Sequence, residues 1–307
     1  MQVQFWGVRG SIACPGPETV VYGGNTACIS IRFRDETERL IIIDAGTGLR
    51  SLGDALIADS VSQMPIRADL FLSHTHWDHI SGFPFFAPLY HPDTRLSVYG
   101  PVTGEDEPLE RFIDDQLRYR YFPLRSNELL AKIAYHSIGE GILDLGDGLK
   151  VRSQYLNHSL LCLGYRFEYR GCTVCTAFDT EPFRNVFPSD PAHPEYDPLI
   201  AAEGDRAASE ASQRLRGFFQ GAELLIHDAQ YTKAEYVDSK VGWGHSAMED
   251  AVDAALHAGV SQLILFHHDP QRTDAQLSRL ESALQRKLPP DTTLRACAAR
   301  ERMIIEL

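Results

Sequence analysis

The run Ser73-His74-Thr75-His76-Trp77-Asp78-His79 constrains this chain more than any other stretch. Four side chains able to ligate a metal stand within six residues, directly after Asp69-Leu70-Phe71-Leu72, which reads as a buried strand. Imidazole and carboxylate together suit Zn²⁺, Mn²⁺ or Fe²⁺, and the lack of cysteine in the cluster argues against a closed structural zinc site. A solvated, histidine-rich turn rarely leaves the end of a core strand with this density. The fold must therefore deliver strand ends to one place.

The surrounding pattern supplies such strands. Val3 to Val8, Ala27 to Phe33, Leu40 to Ile43, Asp69 to Leu72 and Arg95 to Tyr99 are β-rich and end mostly in turn residues. Helices fit Gly48 to Ile57 and Glu107 to Leu117. Strands resume at Val151 to Tyr155, Tyr165 to Tyr169 and Thr173 to Phe178, the last two joined as a hairpin at Arg170-Gly171. Beyond 206 the order becomes helix, strand Leu224 to His227, helix Ser246 to Ala258, strand Gln262 to Phe266, helix Thr273 to Arg286 and a final strand pair. So many strands exceed one layer. The pattern predicts an α+β fold in which two sheets pack as a sandwich flanked by helices. One domain over 1–307 is expected, with an irregular insertion near 185–206, where four prolines and little periodicity occur.

Composition narrows the class. A hydrophobic content of 44% over 307 residues supports a sizeable core. No run approaches about eighteen apolar residues, and Met1-Gln2-Val3-Gln4 lacks a secretory pattern, so a cytoplasmic protein without membrane partners is expected. Six cysteines at irregular positions read as reduced thiols. In the strand-like Gly171-Cys172-Thr173-Val174-Cys175, residues three apart face opposite ways, which disfavours a redox or zinc role for the Cys172/Cys175 pair. The net charge of −13 repels polyanions, so extended nucleic acid is expected to be an unlikely partner and a small substrate a better one.

The cluster resembles the H-x-H-x-D-H signature of the metallo-β-lactamase superfamily, and further motifs follow in that family's order over nearly the whole chain. The resemblance implies an αββα sandwich of two mixed sheets. It implies two divalent cations, Zn²⁺ first with Mn²⁺ or Fe²⁺ also fitting, the first on His74 and His76 and the second on Asp78 and His79. His158, directly after a strand, resembles the third ligand of the first site, although a core-packed histidine has the same appearance. Asp179 resembles the aspartate that bridges both metals, although it also fits a turn cap. His267 and His268 both end an apolar strand; the family's histidine three residues before a proline selects His267 and leaves His268 as a competitor. Such a site would hold a bridging water of depressed pKa, the hydroxide being the nucleophile.

Gly7-Val8-Arg9-Gly10-Ser11, Tyr22-Gly23-Gly24-Asn25-Thr26 and Asp44-Ala45-Gly46-Thr47-Gly48-Leu49 look like the amino-terminal elements of the phosphodiesterase-like branch. That branch includes cyclic phosphodiesterases and is related to the tRNA 3′-processing endonucleases. His227-Asp228-Ala229 and His245-Ser246 are similar to segments that supply those endonucleases with a carboxylate and a histidine for proton transfer; Ser246 also suits a helix cap. Aspartate here replaces their longer glutamate, Ala247 departs from their pattern, and their glycine-proline-rich tRNA arm is not found. The expected catalytic residues are His245, Asp228 and Asp78. The resulting expectation is a dinuclear metal-dependent hydrolase cleaving a small or cyclic phosphodiester. A thioester, lactone or lactam hydrolase and a weakly catalytic ligand sensor are the competing classes. The stretch Tyr119-Arg120-Tyr121-Phe122 is expected to shape the pocket or to bury a homodimer interface.

Overall fold

Fourteen strands among the described residues alternate inward and outward along most of their length, and this period sorts their side chains between two apolar layers. In a computed structural model, residues 1–33, 39–60, 65–102 and 107–307 are described. The first half gives β1 (Gln2–Gly7), β2 (Cys28–Arg32), β3 (Leu40–Ile43), β4 (Arg67–Phe71), β5 (Arg95–Pro101) and β6 (Lys132–Ile138). The second gives β7 (Gly141–Asp144), β8 (Leu149–Tyr155), β9 (Leu163–Tyr169), β10 (Cys172–Ala177), β11 (Leu224–Asp228), β12 (Gln262–Phe266), β13 (Arg295–Ala298) and β14 (Ile304–Glu306). One seven-stranded sheet runs β14-β1-β2-β3-β4-β5-β6 and the other β13-β12-β11-β10-β9-β8-β7. Each is mixed: antiparallel through β14-β1-β2-β3 and β7-β8-β9-β10, parallel through β3-β4-β5-β6 and β10-β11-β12-β13.

Strand β3 shows how the sequence builds the layers. All four residues are buried, yet Ile41 and Ile43 join the core between the sheets, while Leu40 and Ile42 face the opposite layer under α1 (Gly48–Ser60). Phe5, Phe71, Phe167, Phe178 and Phe266 fill the central core. Each such burial contributes about 1.5–3 kcal/mol relative to exposure. The outer face of the second sheet, with Leu225, Leu263 and Leu265, is covered by α4 (Pro198–Phe219), α6 (Met248–His257) and α7 (Asp274–Lys287). The other helices are α2 (Trp77–Ile80), α3 (Leu109–Gln116) and the single turn α5 (Lys233–Glu235). The architecture is thus the expected αββα sandwich of two mixed sheets.

Three local readings change. Irregular backbone ends at Asp197, whose side chain caps α4 through the amides of Leu199 and Ile200, so 198–206 is helical; Pro198 starts this helix because a proline at its first position loses no hydrogen bond. The last two strands do not pair with each other: β13 pairs with β12 and β14 with β1. Strands β6 and β7, absent from the sequence reading, each end a sheet. The hairpin at Arg170-Gly171 is present, both residues at positive φ (49° and 81°) as a mirror-image turn requires.

Candidate metal centre

Parallel strands end side by side, so the segments leaving their carboxyl ends share one crevice. His74, His76, Asp78 and His79 follow β4; His158 follows β8, Asp179 follows β10, and His267 follows β12. Both sheets therefore contribute. His74, His76, His158 and Asp179 form one group whose ligand atoms all lie within 4.8 Å of one another; Asp78, His79, Asp179 and His267 form a second, sharing Asp179. Asp179, Asp228, His245 and His267 form a third. All seven metal candidates and both proton-transfer candidates read from the sequence thus converge. His268 belongs to none of these groups among the described residues: its Nε2 lies 2.9 Å from the Ala299 carbonyl.

The polar atoms face one another in a manner suited to a cation. His76 Nδ1 lies 3.2 Å from His158 Nε2, and His79 Nε2 lies 3.3 Å from His267 Nε2. Asp179 Oδ1 is 3.1 Å from His267 Nε2 and 3.2 Å from His79 Nε2, and its Oδ2 is 3.5 Å from His74 Nε2. Nevertheless, Asp179 Oδ1 and His74 Nε2 are buried without a hydrogen-bond partner. Leaving such groups unpaired costs about 1–3 kcal/mol each. Burial holds His74 well below the usual imidazole range and lowers His158, so neutral rings present lone pairs. The residues thus form a His/Asp cluster capable of holding metal ions.

The rings are aimed by a surrounding shell of contacts. Asp44, which directly follows β3 in the left-handed region (φ 59°), places Oδ2 2.6 Å from His79 Nδ1. It accepts hydrogen bonds from the amide and hydroxyl of Ser73, and that hydroxyl lies 3.0 Å from His74 Nδ1. His158 Nδ1 lies 3.0 Å from the Gly244 carbonyl, and the Ser11 amide donates to Asp78 Oδ2. Asp179 and His267 also have positive φ (49° and 62°). Three turns in a region that non-glycine residues seldom visit thus surround the centre, which is where such strain tends to concentrate. Two glycines are required by close approach: a Cβ on Gly10 or Gly244 would fall 2.4 Å from the ring of His267 or His158.

His245 lies beside this cluster, its Nδ1 2.8 Å from Asp228 Oδ2 and its ring stacked on His267 at 4.9 Å. Asp228 also accepts from the amides of Thr180 and Gln230, which fix the carboxylate. Burial disfavours the imidazolium, but the charge and hydrogen bond of Asp228 outweigh it and bring the His245 pKa up to about 9.

Sequence reading missed Asp44 and Glu181 as functional residues. Asp44 directly follows an apolar strand, as the metal candidates do, and that was the available signal. Glu181 is buried and accepts from the Tyr236 hydroxyl and the amides of Gly242 and Gly244, thereby holding the loop that carries His245. Its sole local signal was its place two residues after Asp179.

The sequence profile of the metallo-β-lactamase superfamily matches residues 21–159, which include the H-x-H-x-D-H run and His158. Over that stretch the chain is a match to the metallo-β-lactamase superfamily. As a hydrolase of that fold, it is 27% identical over 296 residues to ribonuclease Z of Lactococcus lactis subsp. lactis, covering 87% of this chain and 88% of that one. The human tRNase Z short form superposes with a TM-score of 0.62 at 19% identity, over 100% of this chain and 99% of the other. A diphosphatase of the PhnP family gives 0.61 at 15% identity, over 100% and 97%.

These relatives overturn one expectation. Net charge had set extended nucleic acid aside, yet the superfamily members matched along most of this chain include enzymes named for RNA and tRNA. The error is physical. A net charge of −13 is a sum over the whole surface, whereas binding is decided by the local potential at the site, to which clustered arginines and bound cations contribute. Separately, no helix among the described residues is long and apolar enough to cross a membrane.

Proposed function

We propose that the chain is a dinuclear metal-dependent phosphodiesterase, with small and cyclic diesters as the first substrates to test. The observation that carries this reading is the Asp228–His245 pair beside the shared metal cluster. His74, His76 and His158 would hold one cation, Asp78, His79 and His267 the other, and Asp179 both. Zn²⁺ suits this donor set best, with Mn²⁺ or Fe²⁺ as competitors. When bound, the cations supply a Lewis acid for phosphoryl oxygens and a water activated for attack.

The chain itself supplies the proton. Cleaving a phosphodiester requires charge relief at the departing oxygen. Asp228 engages Nδ1 of His245, fixing the ring and holding it cationic, so Nε2 is the remaining nitrogen able to donate to the leaving alkoxide. A thioester, whose thiolate departs without a proton, needs no such acid at this position. Next to His158, a cavity of about 470 Å³ lined by Asn157, Arg184, Phe187 and Gly244 offers room for one arm of the diester, with Arg184 as a cationic contact.

Turnover of an alkyl phosphodiester, bis(p-nitrophenyl) phosphate, a thioester and a chromogenic cephalosporin by metal-reconstituted protein tests the class. Hydrolysis confined to the last two would overturn it. His245→Ala is expected to retain metal, as read by elemental analysis, while slowing alkyl diester cleavage by about two to four orders of magnitude. The loss should be smaller for p-nitrophenolate, which departs without a proton. Equal rates for wild type and variant on the alkyl diester would remove His245 from the mechanism.

A further inference from the structure

A second cavity, of about 360 Å³, adjoins the ligand loop at Thr75 and Trp77. Thr75 and Trp77, which alternate along the chain with His74, His76 and Asp78, form one wall with Ile80; Phe112, Asp115, Gln116, Arg118 and Tyr121 form the rest, the Asp115 carboxylate being paired with Arg118. Its rim is aromatic and exposed: Trp77 is 66% and Tyr121 70% accessible, beside a half-buried Phe112. Large aromatics left in water next to a reactive centre are a cost to the free protein that a flat apolar ring would relieve.

The polar groups in this cavity narrow what that ring is. Gln116 is 6% accessible, and neither its Oε1 nor its Nε2 has a hydrogen-bond partner. Donor and acceptor thus stand side by side and unsatisfied on one carboxamide, the arrangement by which glutamine pairs with the edge of a nucleobase. The adjoining segment is basic although the chain is acidic: Arg118, Arg120 and Arg125 occur between Leu117 and Asn127 with no carboxylate among them. Arg118 is held by Asp115 at 2.6 Å and Arg125 lies over the ring of Tyr119 at 5.9 Å, so the guanidinium planes are mixed with aromatic ones. Aromatic faces interleaved with arginines are what stacked bases and their phosphates require.

We propose that this cavity is a base-binding subsite, which takes the purine or pyrimidine ring of a nucleoside phosphodiester whose phosphate lies at the metal cluster. Trp77 and Tyr121 supply stacking faces, the Gln116 carboxamide meets the hydrogen-bonding edge, and the arginines attract the polyanion. The substrate class is then a nucleotide diester. This rests on the phosphodiesterase reading, which it sharpens.

The test is calorimetric titration of the full, metal-loaded chain with adenosine 5′-monophosphate and with ribose 5-phosphate, which lacks the base. Wild type should prefer the nucleotide by about 5- to 150-fold, the span of one base stack. In Tyr121→Ala and in Gln116→Leu that preference should shrink toward unity. The first change is at the surface, and the second replaces an unpaired buried amide by an apolar group of similar size, so folding is preserved. Equal affinity of wild type for both ligands, or a preference that survives in both variants, would overturn the subsite. The binding contrast is read without turnover. Failure to hydrolyse any diester therefore counts against the phosphodiesterase reading while leaving the subsite separately tested.

Discussion

Asp44 shows how much of a metal site depends on residues that touch no metal. Its carboxylate reaches His79 and, through Ser73, the ring of His74, so it influences both proposed sites. Because its φ is 59°, alanine at this position would strain the backbone, whereas asparagine tolerates the left-handed region. Asp44→Asn is therefore the clean probe. It should lower affinity for the cation on His79 by about 10- to 100-fold, measured by competition with a chromogenic chelator. Affinity equal to wild type would leave Asp44 a purely structural turn residue. At this scale the sequence was informative wherever a chemically loud residue followed a strand-like run, as with His158, Asp179 and His267. It was silent where the partner's identity depended on a contact distant in the chain, as with Glu181 and the loop at Gly242–Gly244.

Elements show the same division between local and distant information. Strand β3 and helix α6 were legible because their apolar period is complete within a few residues. Strands β6 and β7 were not, because each is a largely exposed edge strand whose inward face is at most half-buried. The pairing partners of β13 and β14 are set by which sheet has a free edge, a property of the assembly. The one-turn helix α5 owes its position to a contact of this kind. Glu235 closes a capping box with Thr232 and receives Arg272 Nη1 at 2.9 Å from the loop after β12. The Arg272 hydrogen bond, aided by the cap, holds the Glu235 carboxyl down at about 2, below its ordinary 4.5. A depressed acid contributes stability fully above its unfolded pKa and loses it as pH falls toward the folded value. Glu235→Gln should thus lower the urea midpoint at neutral pH, and the gap from wild type should narrow between about pH 5 and pH 3. As the carboxylate is 42% accessible, the effect at neutrality belongs with exposed pairs, about 0.2–1 kcal/mol. A gap constant with pH would show that the charge is not what holds the turn.

Across the whole molecule, the candidate centre spans the seam of the sandwich. Four of its residues leave the first sheet and three leave the second, and Asp179 faces His79 directly across that seam. Cations bound there would tie the two layers together and, by mass action, stabilise the native chain by about 4 kcal/mol at a thousandfold excess over Kd. Scanning calorimetry before and after chelation should show the melting temperature fall by several degrees and recover on adding Zn²⁺. A melt indifferent to chelator would argue that the cluster holds no cation. The same division has a consequence in time. His79 and His267 stand 188 residues apart. At a synthesis rate of about 5–20 residues per second, roughly 10–40 s separate their emergence from the ribosome. During that interval the nascent chain would display half of the proposed site, rich in histidine and open to any passing ion, and selectivity would begin only when the second sheet closes over the first.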